Sequence, residues 1–394
     1  MAGPVSTETR ERSPESQTAQ HSGQQIVPTA SRGLAVRSAA LVVRGLRDMA
    51  RDSNWLIKKV FPGSTSRLAI SATGAVSLIA PPDHGGSQRV VLYDIERPGP
   101  TLALAVPQEA GGPAAGVAAQ DFSAAFVWSP SARHLVAAWS AWQAALHIFD
   151  LQGKMLLGTF GEFKNFPACL AWSGAGNFFA AASAGGKGSS LRLWAAGAGA
   201  LPFTQSATKE IGVPDGFERQ TYEAEFGEEG AFGGYGRTAF SPDEKILASV
   251  IEIRGDWADD SIVLADVPAL RTQNVFQAQG HITDLTWTPD SRQIIYCAAG
   301  QAYRLDVESL AFEPLPFGAE LCVCHPHLPL CICYSSWLKN SAKGRLFLVD
   351  LGRQTTFDEY AAEGIVDLRW SVDGSKAYAM TQDGMAYIFE PPLI

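Results

Sequence analysis

The densest grouping of residues able to bind a metal or act as nucleophiles is CVCHPHLPLCIC (322–333), which holds Cys322, Cys324, His325, His327, Cys331 and Cys333. Zinc accepts both thiolate and imidazole. The spacing speaks against a site, because paired Cys ligands stand two to four residues apart and here one residue, Val323 or Ile332, separates them. The segment reads instead as strand, turn, strand, with the cysteines acting as small hydrophobes and His-Pro opening the turn. Gly185-Gly186-Lys187-Gly188 lacks the earlier glycine and the Ser or Thr after Lys that a phosphate loop requires, so it reads as a turn. No G-x-S-x-G elbow occurs. His21, His84, His134, His147 and His281 are dispersed along the chain. The expectation is a chain with no catalytic residues, no cofactor and no metal.

The elements around these residues repeat. An apolar stretch meets a turn of the Ser-Pro-Asp-Gly kind, a small or apolar strand follows, and a third strand often ends in Asp. The turns lie in LAISATG (68–74), FVWSPSA (126–132), LAWSGAG (170–176), TAFSPDE (238–244), LTWTPDS (285–291), CVCHPHL (322–328) and LRWSVDG (368–374). The third strands are VVLYDI (90–95), LHIFDL (146–151), LRLWA (191–195), IVLADV (262–267), AYRLDV (302–307), RLFLVDL (345–351) and AYIFE (386–390). Pro presets its own φ at such a reversal, while Asp, Ser and Gly cap or permit it. The turns open at 71, 129, 173, 241, 288, 325 and 371, and four of the six intervals lie between 37 and 47 residues. The two longer intervals contain 107–121, rich in Gly, Ala and Pro, and 203–236, polar, acidic and Gly-rich.

This pattern resembles the WD40 repeat family over about 55–394. It is carried by Trp128, Trp172, Trp287 and Trp370 before the turns and by Asp94, Asp150, Asp266, Asp306 and Asp350 closing the third strands. One blade opens with the family's Gly-His pair, Gly280-His281, and Trp194 alone keeps the third-strand Trp. The family's buried His–Asp–Ser–Trp network is therefore expected to be largely absent. The resemblance implies an all-β, seven-bladed propeller over 54–394. The last blade lacks an outermost strand, and an open edge invites association, so WLIKKVF (55–61) is expected to supply it.

Residues 1–33 offer little apolar surface to offset the entropy of ordering and read as a disordered tail. Residues 34–53 form the best helix candidate, with Ala35, Ala39, Val42, Leu46 and Met49 on one face at helical spacing. Arg37, Arg44, Asp48 and Arg51 fall on the opposite face, with Arg47 beside them. Such a helix fits its own propeller, a partner protein or an anionic membrane surface.

A formal net charge of -9 argues against a general nucleic-acid binder, which needs a basic surface. No apolar run is long enough to span a bilayer and no secretory h-region opens the chain. The six cysteines are then expected as reduced thiols in a cytoplasmic protein. Long loops in compact folds are disproportionately functional. The 203–236 insertion interleaves acids with aromatics, so Phe217, Tyr222, Glu223, Phe226, Glu228, Phe232 and Tyr235 are candidate partner-binding residues, together with Arg37, Arg44, Arg47 and Arg51. The expected function is a non-catalytic protein–protein interaction scaffold within a larger assembly. Alternatives are a propeller hydrolase or lactonase with a channel metal, and a subunit peripheral to a membrane complex.

Overall fold

The computed structural model describes residues 55–61, 68–80, 89–97, 99–105, 124–139, 144–183, 189–195, 209–211, 232–253, 259–267, 269–336 and 344–390. The expected tail and the helix candidate at 34–53 lie outside these residues. Within them every helix or strand element is a strand, and the strands form seven four-stranded antiparallel sheets.

Blade 1 is β2 (Leu68–Ile70), β3 (Ala75–Ala80), β4 (Arg89–Asp94) and β5 (Pro100–Ala105). Blade 2 is β6 (Ala124–Trp128), β7 (His134–Trp139), β8 (Ala144–Asp150) and β9 (Met155–Phe163). Blade 3 is β10 (Cys169–Trp172), β11 (Phe178–Ala182), β12 (Leu191–Ala195) and β13 (Lys209–Ile211). Blade 4 is β14 (Phe232–Phe240), β15 (Ile246–Ile253), β16 (Ser261–Asp266) and β17 (Arg271–Gln277). Blade 5 is β18 (Ile282–Trp287), β19 (Gln293–Ala298), β20 (Gln301–Asp306) and β21 (Phe312–Pro314). Blade 6 is β22 (Leu321–Cys324), β23 (Leu330–Ser335), β24 (Arg345–Asp350) and β25 (Thr355–Ala361). Blade 7 is β26 (Ile365–Trp370), β27 (Ala377–Thr381) and β28 (Met385–Phe389), completed by β1 (Trp55–Lys59). The first strand of each blade touches the first strands of both neighbours, and β26 touches β2, so the sheets close a ring. This is the seven-bladed propeller expected from the repeat.

Each turn opener is buried and acts as a local buttress. The Oγ of Ser71 accepts from Ala75 N at 2.8 Å, and the hydroxyls of Ser129, Ser173, Ser241, Thr288 and Ser371 accept from the amide five residues on at 2.9 to 3.1 Å. A hydroxyl side chain competes well for backbone donors at reversals. In blade 6 the imidazole of His325 takes over this role, its Nδ1 accepting from the amides of His327 and Leu328, both at 3.0 Å. The proton therefore sits on Nε2, which donates to Gly374 O at 3.2 Å. Gly374 has φ +72° and touches this ring so closely that a Cβ there would collide with it.

The aspartates ending the third strands do the same work at the next turn. Asp94 accepts from Glu96 N at 2.8 Å, Asp150 from Gln152 N at 2.9 Å, Asp266 from Ala269 N at 3.2 Å, Asp306 from Ser309 N at 2.9 Å and Asp350 from Gly352 N at 2.9 Å. The first-strand tryptophans staple blades. Trp128, Trp287 and Trp370 donate from Nε1 to the carbonyls of Ala69, Ala239 and Val323 on the preceding blade, at 3.3, 3.0 and 3.0 Å. The indole N–H of Trp194 is buried with no acceptor among the described residues.

The ring closes as the sequence implies. Trp55 pairs with Phe389, Ile57 with Tyr387 and Lys59 with Met385 in antiparallel register. Trp55 is buried, its ring 4.9 Å from Phe389 and 6.3 Å from Tyr360. Beyond the strand, Val60 N donates to Gly384 O at 2.9 Å. Deleting 55–61 is expected to destabilise the entire ring in one cooperative step, by about 3 kcal/mol or more on the scale of losing one buried Trp. Urea denaturation followed by Trp fluorescence checks this, and a truncated chain melting like the full one contradicts it.

His147 lies in the core of blade 2, with Nδ1 2.9 Å from Thr159 Oγ1, and burial lowers its pKa to about 4. The unfolded chain binds this proton from about pH 6.5 downward while the folded chain resists until about 4, so acidification favours unfolding. Between these values the wild type should lose about 3 kcal/mol more than His147→Asn, which cannot ionise. Parallel denaturant titrations at the two pH values read the difference, and equal losses contradict it.

Candidate interaction faces and central channel

Strand order sorts the connections between two ends of the ring. The turns after first and third strands meet at one end, where hydrogen-bonded reversals close the described turns and the segment 196–208, between β12 and β13, also begins and ends. The connections after second and fourth strands meet at the other. There the long segments 106–123, between β5 and β6, and 212–231, between β13 and β14, both begin and end. The 203–236 insertion is therefore not one excursion. β13 and the start of β14 fall inside it, because Lys209–Ile211 pairs with β12 as the outer strand of blade 3.

Phe217, Tyr222, Glu223, Phe226 and Glu228 lie outside the described residues, as do Arg37, Arg44, Arg47 and Arg51. Phe232 and Tyr235 belong to β14, an inner strand, rather than to a loop. Their side chains lie outside the described residues. The chain reaches β1 from the tight-turn end, since Trp55 pairs with Phe389 at the close of a third strand. The segment preceding β1 and the 212–231 connection thus join the ring at opposite ends.

The first strands carry a belt of residues placed by register rather than by any motif. Cys169, Arg237, Asp284, Leu321 and Asp367 each stand four positions before a turn opener, on five successive first strands. Arg237 Nε donates to Thr283 O at 3.2 Å and lies 3.6 Å from Asp284 Oδ1. Asp284 Oδ2 accepts from Cys322 N at 3.0 Å, Thr286 Oγ1 from Cys324 N at 3.2 Å and Asp367 Oδ2 from Ile70 N at 2.9 Å. Side chains of one blade thereby satisfy the amides that the next blade's first strand turns away from its own sheet. Burial pushes Asp284 up to about 7 against the pull of Arg237, and the same carboxylate raises Arg237. Arg237 keeps 47% of its side chain accessible, so the belt is enclosed by protein yet reached by water. Cys169 is partly buried, and burial raises its thiol to about 11. The common spacing from the turn is the signal in the sequence that locates this belt.

The Cys/His segment forms the β22–turn–β23 hairpin. Cys322, Cys324, Cys331 and Cys333 pack with Cys297, Phe317 and Phe347 in one apolar core between blades 5 and 6. His325 and His327 face the turn of blade 7, with His327 Nε2 3.2 Å from Val372 O. Among the described residues no three His, Cys, Asp or Glu side chains are arranged to hold a metal ion. Gly280-His281 closes a turn at the opposite end: His281 Nδ1 lies 2.8 Å from Asp260 Oδ2, which also accepts from Ile282 N at 2.8 Å. These polar groups bind backbone and bridge blades. The geometry they build is that of a rigid ring offering two faces.

No protein-family model matches the chain, and no curated protein matches it. The likeness is to solved structures, of which 1463 chains match. One of them, from the crystal structure of a mitotic checkpoint complex, superposes with a TM-score of 0.57 at 12% identity. The superposition covers 86% of this chain and 96% of that one. At that identity the likeness is one of fold, and it places this chain among seven-bladed propellers with a neighbour from a multiprotein complex.

Proposed function

We propose that this protein is a non-catalytic scaffold of the WD40 type that holds other proteins together as a subunit of a larger assembly in the cytoplasm. One observation carries the reading. The polar residues that recur in the repeats, the turn hydroxyls and the third-strand aspartates, bind turn backbone, so the repetition serves the ring and leaves recognition to the connections. The structural neighbour, taken from a multiprotein complex, supports a binding role of the same kind. Partners would meet the aromatic and acidic residues Phe217, Tyr222, Glu223, Phe226 and Glu228 at one end. They would meet the basic face of 35–51, with Arg37, Arg44, Arg47 and Arg51, from the other. Attachment at opposite ends suits a subunit that bridges two partners rather than one that grips a single ligand. Aromatic and Arg anchors are the residue types that dominate such interfaces.

The test is mild affinity purification of the intact chain from its native cells, with mass spectrometry of what stays bound. Two variants separate the ends: one lacks 35–51, the other has 212–231 replaced by a Gly/Ser linker that leaves β13 and β14 intact. Each variant is expected to lose a different stoichiometric partner while the ring keeps its thermal midpoint. Recovery of a monomer alone, or of the same partners from both variants, would overturn the proposal.

A further inference from the structure

The β22–β23 hairpin places four cysteines in two directly opposed pairs, Cys322 with Cys333 and Cys324 with Cys331. Backbone bonding identifies the type of pair. His325 N donates to Leu330 O at 2.8 Å, which makes 325 and 330 a hydrogen-bonded pair and the alternate positions 324/331 and 322/333 non-hydrogen-bonded ones. The amides of Cys322 and Cys324 agree, because both point away from β23 to Asp284 and Thr286 on the neighbouring blade. Opposed residues of this type have Cα atoms about 4.5 Å apart with their side chains close. A disulfide spans Cα separations of roughly 4.4 to 6.8 Å, so both pairs fall just inside the short limit. The thiols are already crowded, with the Sγ atoms of Cys331 and Cys333 3.7 Å apart, and all six cysteines of the chain are free. Residues two apart along one strand have Cα atoms about 6.6 Å apart, near the long limit, which favours the cross-strand pairs over Cys331–Cys333.

We propose that this hairpin is a reversible redox ladder whose rungs are Cys322–Cys333 and Cys324–Cys331. The oxidant is a small-molecule disulfide such as glutathione disulfide. For each rung two protein thiols give up two electrons and two protons, one sulfur–sulfur bond forms, the small disulfide's bond breaks and two molecules of its thiol leave. Each rung is reversible because thiol–disulfide exchange with the small thiol runs back through the same mixed disulfide. Burial sets the rate, since Cys331 and Cys333 have no accessible surface and exchange needs the hairpin to open. The consequence is local: blade 6 is stapled beside the blade that β1 closes, where His325 and His327 meet the turn of blade 7.

The experiment unfolds the full-length chain and refolds it in glutathione buffers of graded oxidised-to-reduced ratio. Free thiols are then alkylated and disulfide-linked peptides mapped by mass spectrometry. Both rungs are expected at the oxidising end, four thiols per chain should be lost to alkylation, and a strongly reducing buffer should release them from the folded ring. Cys322→Ser should leave Cys324–Cys331 as the one remaining link. A ring that folds with all six thiols free at every ratio would overturn the proposal. So would links joining Cys331 to Cys333, or links drawing in Cys169 or Cys297.

Discussion

The ring depends on a single non-local pairing, β1 on β28, because every other strand finds its neighbour nearby in sequence. Lys59 and Asp383, which interact across that seam, are 324 positions apart. Closing so long a loop costs little more than closing one of half the length, since the entropy grows only logarithmically, by about 0.6 kcal/mol per doubling. Against that cost stand five residue pairs of register, the burial of Trp55 and the covering of an edge that would otherwise be open to other chains. The seven inner strands stay in mutual contact because this seam lets no blade open outward.

The blades are held to one another by groups that work across their boundaries. Tryptophan N–H groups reach carbonyls on the preceding blade. Asp284, Thr286 and Asp367 reach amides on the following one. Glu244 extends the same logic at the turn end. It keeps a positive φ of 58°, unusual for a residue with a side chain, and its carboxylate accepts from Ala175 N and from Asn177 Nδ2 on the neighbouring turn, both at 2.7 Å. Two charge-assisted hydrogen bonds offset a strained backbone there. The same turn position has a positive φ at Gly74, Ala132, Gly176, Ser291 and Gly374, so a recurring conformation of the repeat here also serves contact between repeats.

The fold was legible because its signal is redundant. All seven turn openers and all seven third strands lie where alternation and turn chemistry put them, and the sequence named 55–61 as the closing strand. What each recurring residue does was less visible. Ser and Asp at turns suggested reversal in general, whereas the atoms show a hydroxyl or carboxylate bound to particular amides. The 203–236 segment reads as one loop because Lys209–Ile211 is too short to show a period, and its strand character comes from pairing with β12. The channel belt is not legible as a motif because Cys169, Arg237, Asp284, Leu321 and Asp367 are of mixed residue type and share only a distance from the turn. The cysteine pairs are not legible for a related reason, since opposition across a hairpin is a matter of register that spacing along one strand does not reveal.

The closure of the ring by its own first strand is tested most directly by native-state hydrogen exchange on the full-length chain. The amides shared between Trp55–Lys59 and Met385–Phe389 should exchange together, and only through the opening that unfolds the inner strands of the other blades. Fast, independent exchange of 55–59 while the inner strands stay protected would show β1 to be an ornament on the edge of blade 7, and the account of a ring locked by its seam would be wrong.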